Sequence, residues 1–436
     1  MSLFSLLFPL AVRRALAALT LPLALAACSS SDDDPPEPPP AADEAEPPLA
    51  EPPAEPPVEP APLPHVDAQP GDLLEVPIGS LRPTQAAIGY DQVYYKLGRW
   101  QPDMARPTWA ADPASHLNYL NRTLGKKFDD FCEDTGQGER AQPFQTLDEA
   151  LAARLDVPGS FACRDAPGTD ADALKTVVVG PGGELYLTDG HHTFSSLYEV
   201  PDGGPQLKVW VKVDANYSDA ASEAEFWQRM ITQGKTWLRD GGNNPITPAE
   251  LPTRVGMQHP DRPGGMAEDP YRSLVYFTRG IGYDNGGLPE FAEFYWADYL
   301  RGQTAAGHLQ PMSAYAMQAP HPVADILAQS TLNSSLAPRG SDTSYPALIR
   351  DAALRMAALG DADAVSAGLT AAQLGRIALA PGAPNPSPTK SARDELEDIA
   401  RNDVNSSGNP RGAGKLWFAV NYRHCGAPAT GTCWGW

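Results

Sequence analysis

The sequence predicts an α+β fold: a small mixed-sheet domain and then a mainly helical region, both behind an N-terminal tether that does not fold. Three observations lead there. Residues 29–70 are Pro, Glu, Asp and Ala with almost nothing to bury. Between about 71 and 215, β-branched and alternating runs surround one short helical pattern. From 216 onward, apolar and aromatic residues recur at helical spacing.

The chain opens with Arg13-Arg14 and an apolar run, Ala15 to Ala27, too short to span a bilayer. The run ends in Leu25-Ala26-Ala27-Cys28, which resembles a bacterial lipobox. That resemblance implies cleavage before Cys28 and lipidation of Cys28, making 1–27 a signal peptide and 28–70 the tether. Ser29 after the Cys, in place of Asp, points by lipoprotein sorting rules to the outer membrane, facing the periplasm or the cell surface. An ordinary secretory signal is the alternative, and both readings export the protein. At about 3.1 Å per residue, the tether reaches on the order of 100 Å from its anchor.

The remaining residues suffice for one large domain or two ordinary ones. The formal charge is −21. Arg13 and Arg14 contribute +2 and the eleven acidic residues from Asp32 to Asp67 contribute −11, which leaves −12 on the rest. That sign repels polyphosphate, and nucleic-acid-binding domains carry a basic footprint instead. Lys126-Lys127 with Arg122 is the best candidate for a local basic patch. Beyond Cys28 stand Cys132, Cys163, Cys425 and Cys433. Four cysteines in an oxidising compartment allow three pairings, of which the sequence neighbours Cys132–Cys163 and Cys425–Cys433 are favoured. No Cys-x-x-Cys spacing supports zinc.

In the first domain, 71–215, Leu74 to Ile78 alternates like a strand and Leu81 to Gln85 reads as a turn. Tyr90 to Trp100 is an amphipathic helix, and Leu117 to Cys132 carries Phe128 and Phe131 for the core. Thr176 to Val179 and Leu185 to Leu187 form a hairpin around Gly180-Pro181-Gly182-Gly183. After Asp189-Gly190 the period changes, and Phe194, Leu197 and Tyr198 mark one face of a helix. Leu207 to Asp214 alternates again and closes the sheet. A strand feeding a helix start exposes backbone N–H groups at the positive end of the dipole, a natural seat for phosphate. His191 and His192 occupy the first turn there, about 100° apart, so they do not chelate as an i, i+4 pair would. Asp189 precedes them as a cap, a general base or a magnesium-bridging group.

In 216–305, Glu225 to Met230 starts a helix, Trp237 to Gly242 ends in a loop, and Asp269 to Leu274 starts another helix. A helix over Phe291 to Arg301 follows Pro289 and carries a core stripe of Phe291, Phe294, Tyr295 and Tyr299. Arg272 lies between Tyr271 and Leu274 and needs an anion, either Glu293 or Asp298 or a ligand phosphate. In 306–436 the pattern gives a loop-rich stretch over 310–344, helices over 347–359, 371–379 and 391–402, and a strand over 416–422. No chemistry is legible there. The chain lacks a P-loop, a Gly-x-Ser-x-Gly elbow and a His-Glu-x-x-His helix.

The stretch Leu185 to Tyr198, with Asp189-Gly190-His191-His192, resembles the ParB/sulfiredoxin superfamily. The doubled His is closest to its ParB-like nuclease family. With Leu81-Arg82-Pro83, Asp269 to Leu274 and Phe291 to Arg301, the resemblance runs over about 72–305, and three motifs in order make it specific. It implies a ParB/sulfiredoxin-like sheet domain with phosphate at the Gly190–Thr193 amides and a helical second part. Arg82 and Gln85 become ligand contacts, His192 an acid/base or phosphate ligand, and Asp189 a holder of magnesium or manganese. Thr193 stands where the family carries Arg, and Arg272 is the candidate to replace that cation. His191 stands where sulfiredoxins carry their Cys, which excludes that chemistry. The implied activity is a nuclease acting on phosphodiesters or nucleotides, anchored to the membrane by lipid. The rivals are a small-molecule phosphotransferase and a non-catalytic envelope binding or scaffold module. Nucleic acid as a partner is opposed by the charge.

Overall fold

In a computed structural model, the described residues are 63–102, 107–315, 344–378 and most of 395–427, with Trp434. The described residues all belong to one compact unit. Cys28 and residues 28–62 of the tether lie outside the described residues, as does most of the expected helix over 391–402. Residues 63–70, read as tether, lie instead against the sheet, where Asn216 Nδ2 donates to the Val66 and Ala68 carbonyls at 2.8 Å.

The sheet has five strands: β1 (Leu73–Pro77), β2 (Leu81–Pro83), β4 (Lys175–Val179), β5 (Leu185–Leu187) and β6 (Lys208–Asn216), while β3 (Ala87–Ile88) lies outside it. Its order is β1-β6-β4-β5-β2. Antiparallel pairs at β1–β6 and β4–β5 alternate with parallel pairs at β6–β4 and β5–β2, so the sheet is mixed. The stretch read as a turn, Leu81 to Gln85, begins instead as edge strand β2. Pro83 has no N–H to give to a ladder, which suits it to an edge.

Helix α1 (Tyr90–Arg99) divides the core. Val93, Leu97 and Trp100 pack with the sheet residues Val177, Leu187 and Val209, whereas Tyr95 belongs to the helical cluster. The alternation in β6 sends Val209, Val211 and Val213 to the same buried face. The helices α2 (Pro107–Ala110), α3 (Pro113–Arg122), α4 (Leu124–Asp134) and α5 (Leu147–Ala152) precede β4. The Cys132–Cys163 disulfide ties α4 to the loop that leads into β4. Cys425 is also disulfide-bonded, and Cys433 lies outside the described residues. Helix α6 (His191–Glu199) follows β5, and α7 (Glu223–Thr232) covers Val178 with Phe226, Trp227 and Met230.

The second half is mainly helical: after the short strand β7 (Ala267–Glu268) come α8 (Pro270–Phe277), α9 (Ala292–Ala305) and α10 (Tyr345–Ala357). Two small two-stranded ribbons, β8 (Ala364–Ser366) with β9 (Leu369–Thr370) and β10 (Asn402–Val404) with β11 (Pro410–Ala413), precede α11 (Lys415–Cys425). Two readings of the C-terminal sequence are corrected here. Residues 371–375 are turn and not helix, and 416–422 are helix and not strand. Leu416 through Asn421 are all buried, and a continuous apolar run does not distinguish a buried strand from a buried helix. Helix α11 lies on α1, where Tyr94 and Tyr422 pack with ring centroids 5.5 Å apart. Arg423 Nε donates to buried Asp91 at 2.8 Å.

Candidate phosphate site at the start of helix α6

Leu185 and Leu187 bury β5 against the core, and the chain then turns through Thr188-Asp189-Gly190 into α6. Gly190 is the N-cap, with φ +93°, a region that Gly occupies without penalty. A Cβ there would meet the Lys175 side chain at 2.5 Å, so the residue must be Gly on two counts. Among the described residues no side chain caps this helix. Asp189 precedes the cap position and makes no side-chain hydrogen bond among the described residues; it is exposed at the edge of the cleft. The first bond back into the turn is from Phe194 N–H to the Gly190 carbonyl, at 2.9 Å. The amides of His191, His192 and Thr193 have no acceptor among the described residues. They form the open positive end of the helix.

The two histidines are buried, and both ring Nε2 atoms are engaged. His191 Nε2 accepts from Thr84 N–H at 3.2 Å, and its ring donates to the Leu187 carbonyl. His192 Nε2 accepts from Gly89 N–H at 3.0 Å. Accepting at Nε2 assigns the ring proton to Nδ1 in each. Burial, helped by the Arg272 charge, lowers the His191 pKa to about 3 and holds His192 well below its ordinary value. Both rings are therefore neutral clamps that hold the β2–β3 segment against α6. That geometry offers a proton-transfer role no free basic nitrogen at Nε2.

Arg272 reaches the same cleft from α8. Asp269 caps that helix by accepting from Arg272 N–H at 3.0 Å. The guanidinium, 5% exposed, pairs with Glu293 through Nη2. Glu293 also accepts from Arg279 Nε at 2.5 Å and from Tyr283 Oη at 2.6 Å. Two arginines thus share one carboxylate, and Arg272 Nε and Nη1 are buried without a partner among the described residues. Burial, and then the Arg279 charge, lowers the Arg272 pKa to about 9. A guanidinium under that strain is stabilised by an arriving anion.

The α6 turn and Arg272 line one cleft of about 850 Å³. Gln85 and Thr193 are buried in its wall, and Gln85 Nε2 donates to the Ala87 carbonyl at 2.8 Å. Arg82 is elsewhere: it is spent on the Thr253 carbonyl at 2.9 Å and on Glu184 at 3.2 Å, away from the cleft. The suspected basic patch dissolves too, because Lys127 is buried against Asp202 at 2.6 Å and Lys126 pairs with Glu133 and Asp130. Sequence reading missed Arg279 and a second cationic wall. There Lys96 and Lys175 share Asp134 at 3.4 and 3.0 Å. Lys96 sits between the apolar stripe residues Val93 and Leu97 of α1, a hint that it faces inward. Among the described residues, no group of three or more His, Cys, Asp or Glu side chains is arranged to hold a metal ion. Asp189 alone does not fit a resident magnesium or manganese.

No curated protein matches the chain. The crystal structure of protein Atu1540 from Agrobacterium tumefaciens is similar at 21% identity, covering 53% of this chain and 80% of that one, with a TM-score of 0.33. Residues 74–302, more than half of the chain and nearly the span carried by the sequence motifs, match the family described as "Putative ParB-like nuclease", and the chain belongs to that ParB-like nuclease family.

Proposed function

We propose that the protein is an exported, membrane-tethered phosphate-ester hydrolase that binds one phosphoryl group between the α6 turn and Arg272. One observation carries this: three open first-turn amides share a cleft with a buried guanidinium that has two nitrogens without a partner among the described residues. Asp189, exposed beside that seat, is the group left to activate water. Water oxygen bonds to phosphorus as a proton passes to Asp189, and the ester P–O bond breaks with its oxygen protonated by solvent. His191 and His192 position the seat without exchanging protons. Export is supported by the Leu25-Ala26-Ala27-Cys28 junction and by the Cys132–Cys163 disulfide, which suits an oxidising compartment.

A second reading, a phosphate-binding module without catalysis, is favoured by the neutrality and engagement of both histidines. The full chain, purified with its disulfides intact, is assayed on chromogenic phosphomonoesters and phosphodiesters, with and without magnesium or manganese. The hydrolase reading expects turnover that falls at least ~100-fold in Asp189→Asn. Undiminished turnover in that variant contradicts the assignment, and phosphate binding with no turnover selects the binding module.

A further inference from the structure

Resting on that phosphate seat, the structure also carries a reading of which ester fits it. The cleft has an apolar wall beside its charged floor. Arg272 lies over the Phe294 ring at 5.7 Å, and Phe294 and Phe291 are 6.2 Å apart. Trp237 stacks behind both, at 5.1 Å from Phe294 and 6.1 Å from Phe291. Phe291 is held at φ +59°, an uncommon conformation for a bulky residue, at the N-cap of α9, where it lines the cleft half-buried. Leu288 and Pro289 extend the same wall.

The charges are layered. In the interior, Arg272 with Arg279 on Glu293, and Lys96 with Lys175 on Asp134, each leave one positive charge in excess. Asp130, 3.9 Å from Lys96, shares Lys126 with Glu133 at 3.5 and 3.0 Å, and these two carboxylates with one lysine cancel the excess on Lys96 and Lys175. At the mouth stand three exposed carboxylates, Asp172, Asp189 and Glu290, against Lys212 and, 3.5 Å from Glu290, Lys235. The excess of one positive charge left on Arg272 and Arg279 suits a single phosphate group. The acidic mouth opposes a polyanion entering along its length. A cavity of this size suits a small molecule.

We infer that the cleft selects a small phosphate ester with a flat, apolar ester group, its phosphate on the α6 turn and Arg272 and its ring against Phe291. Phe291 is then a specificity-determining residue.

Calorimetric titration of the full chain at pH 7.5 with inorganic phosphate, phenyl phosphate and an end-blocked single-stranded oligonucleotide tests this. The expected result is phenyl phosphate binding about tenfold more tightly than inorganic phosphate, and the oligonucleotide more weakly than both. Phe291→Ala lowers phenyl phosphate affinity to the inorganic phosphate level and leaves inorganic phosphate unchanged, whereas Phe291→Tyr retains the preference. Equal affinity for the two small ligands, with inorganic phosphate still bound, overturns the selectivity and spares the phosphate seat. Tightest binding by the oligonucleotide overturns it as well. Absence of any phosphate binding removes the seat and the selectivity together.

Discussion

The amide of Gly89 donates to His192 Nε2 at 3.0 Å, joining two residues 103 positions apart in the chain. This bond, and its neighbour from Thr84 to His191, fix the floor of the cleft. Removing the acceptor leaves a buried N–H unsatisfied, which costs about 1–3 kcal/mol. His192→Ala is expected to lose at least that much in urea denaturation, because it also opens a cavity.

The same histidines give the fold a pH dependence. Their folded pKa values lie below the unfolded value of 6.5, with His191 at about 3. Between those limits the unfolded chain binds more protons, so their contribution is complete above pH 6.5 and is lost as the pH falls toward 3. The denaturant midpoint is expected to drop across that window, and a His191→Gln/His192→Gln double variant to show a shallower slope. An unchanged slope in the double variant removes the assignment.

Gly89 is also a point of closest approach. A Cβ there would lie 2.7 Å from the Ser273 amide nitrogen and 3.0 Å from the Arg272 carbonyl carbon. Backbone cannot give way as a flexible side chain can, so Gly89→Ala must push α8, and Arg272 with it. The expected outcome is a loss of about 1–3 kcal/mol in stability, with weakened phosphate binding that Gly302→Ala, where a Cβ on helix α9 meets open space, does not produce.

The C-terminal helix is docked by charge as well as by packing. Asp91 is fully buried and accepts from both Tyr345 Oη at 2.7 Å and Arg423 Nε at 2.8 Å. Arg423→Ala strands that carboxylate beside Glu268, at a cost of about 3 kcal/mol. Thermal unfolding should fall accordingly, and proteolysis in the native state should begin near α11.

The strand–turn–helix centre was legible because its signals are local: β-branched runs, a glycine turn and a change of period within Leu185 to Tyr198. Glu293 as a partner of Arg272 was legible because a buried cation requires an anion nearby. The clamps were not. A backbone amide carries no mark in sequence, so nothing announces that Thr84 and Gly89 will close on two histidines a hundred residues later. Arg82 misled because a loop arginine looks the same whether it faces a ligand or, as here, Glu184 and a carbonyl. Helix α11 was misread for want of periodicity, since nearly every residue in its first two turns is buried.

The most direct measurement titrates inorganic phosphate into the full chain and into Arg272→Gln, which keeps a polar side chain but removes the charge. Saturable binding to the parent, weakened at least about tenfold in the variant, is the expected result. No binding to the parent, or equal affinity in the two proteins, would contradict the claim that the α6 turn and Arg272 together form an anion seat.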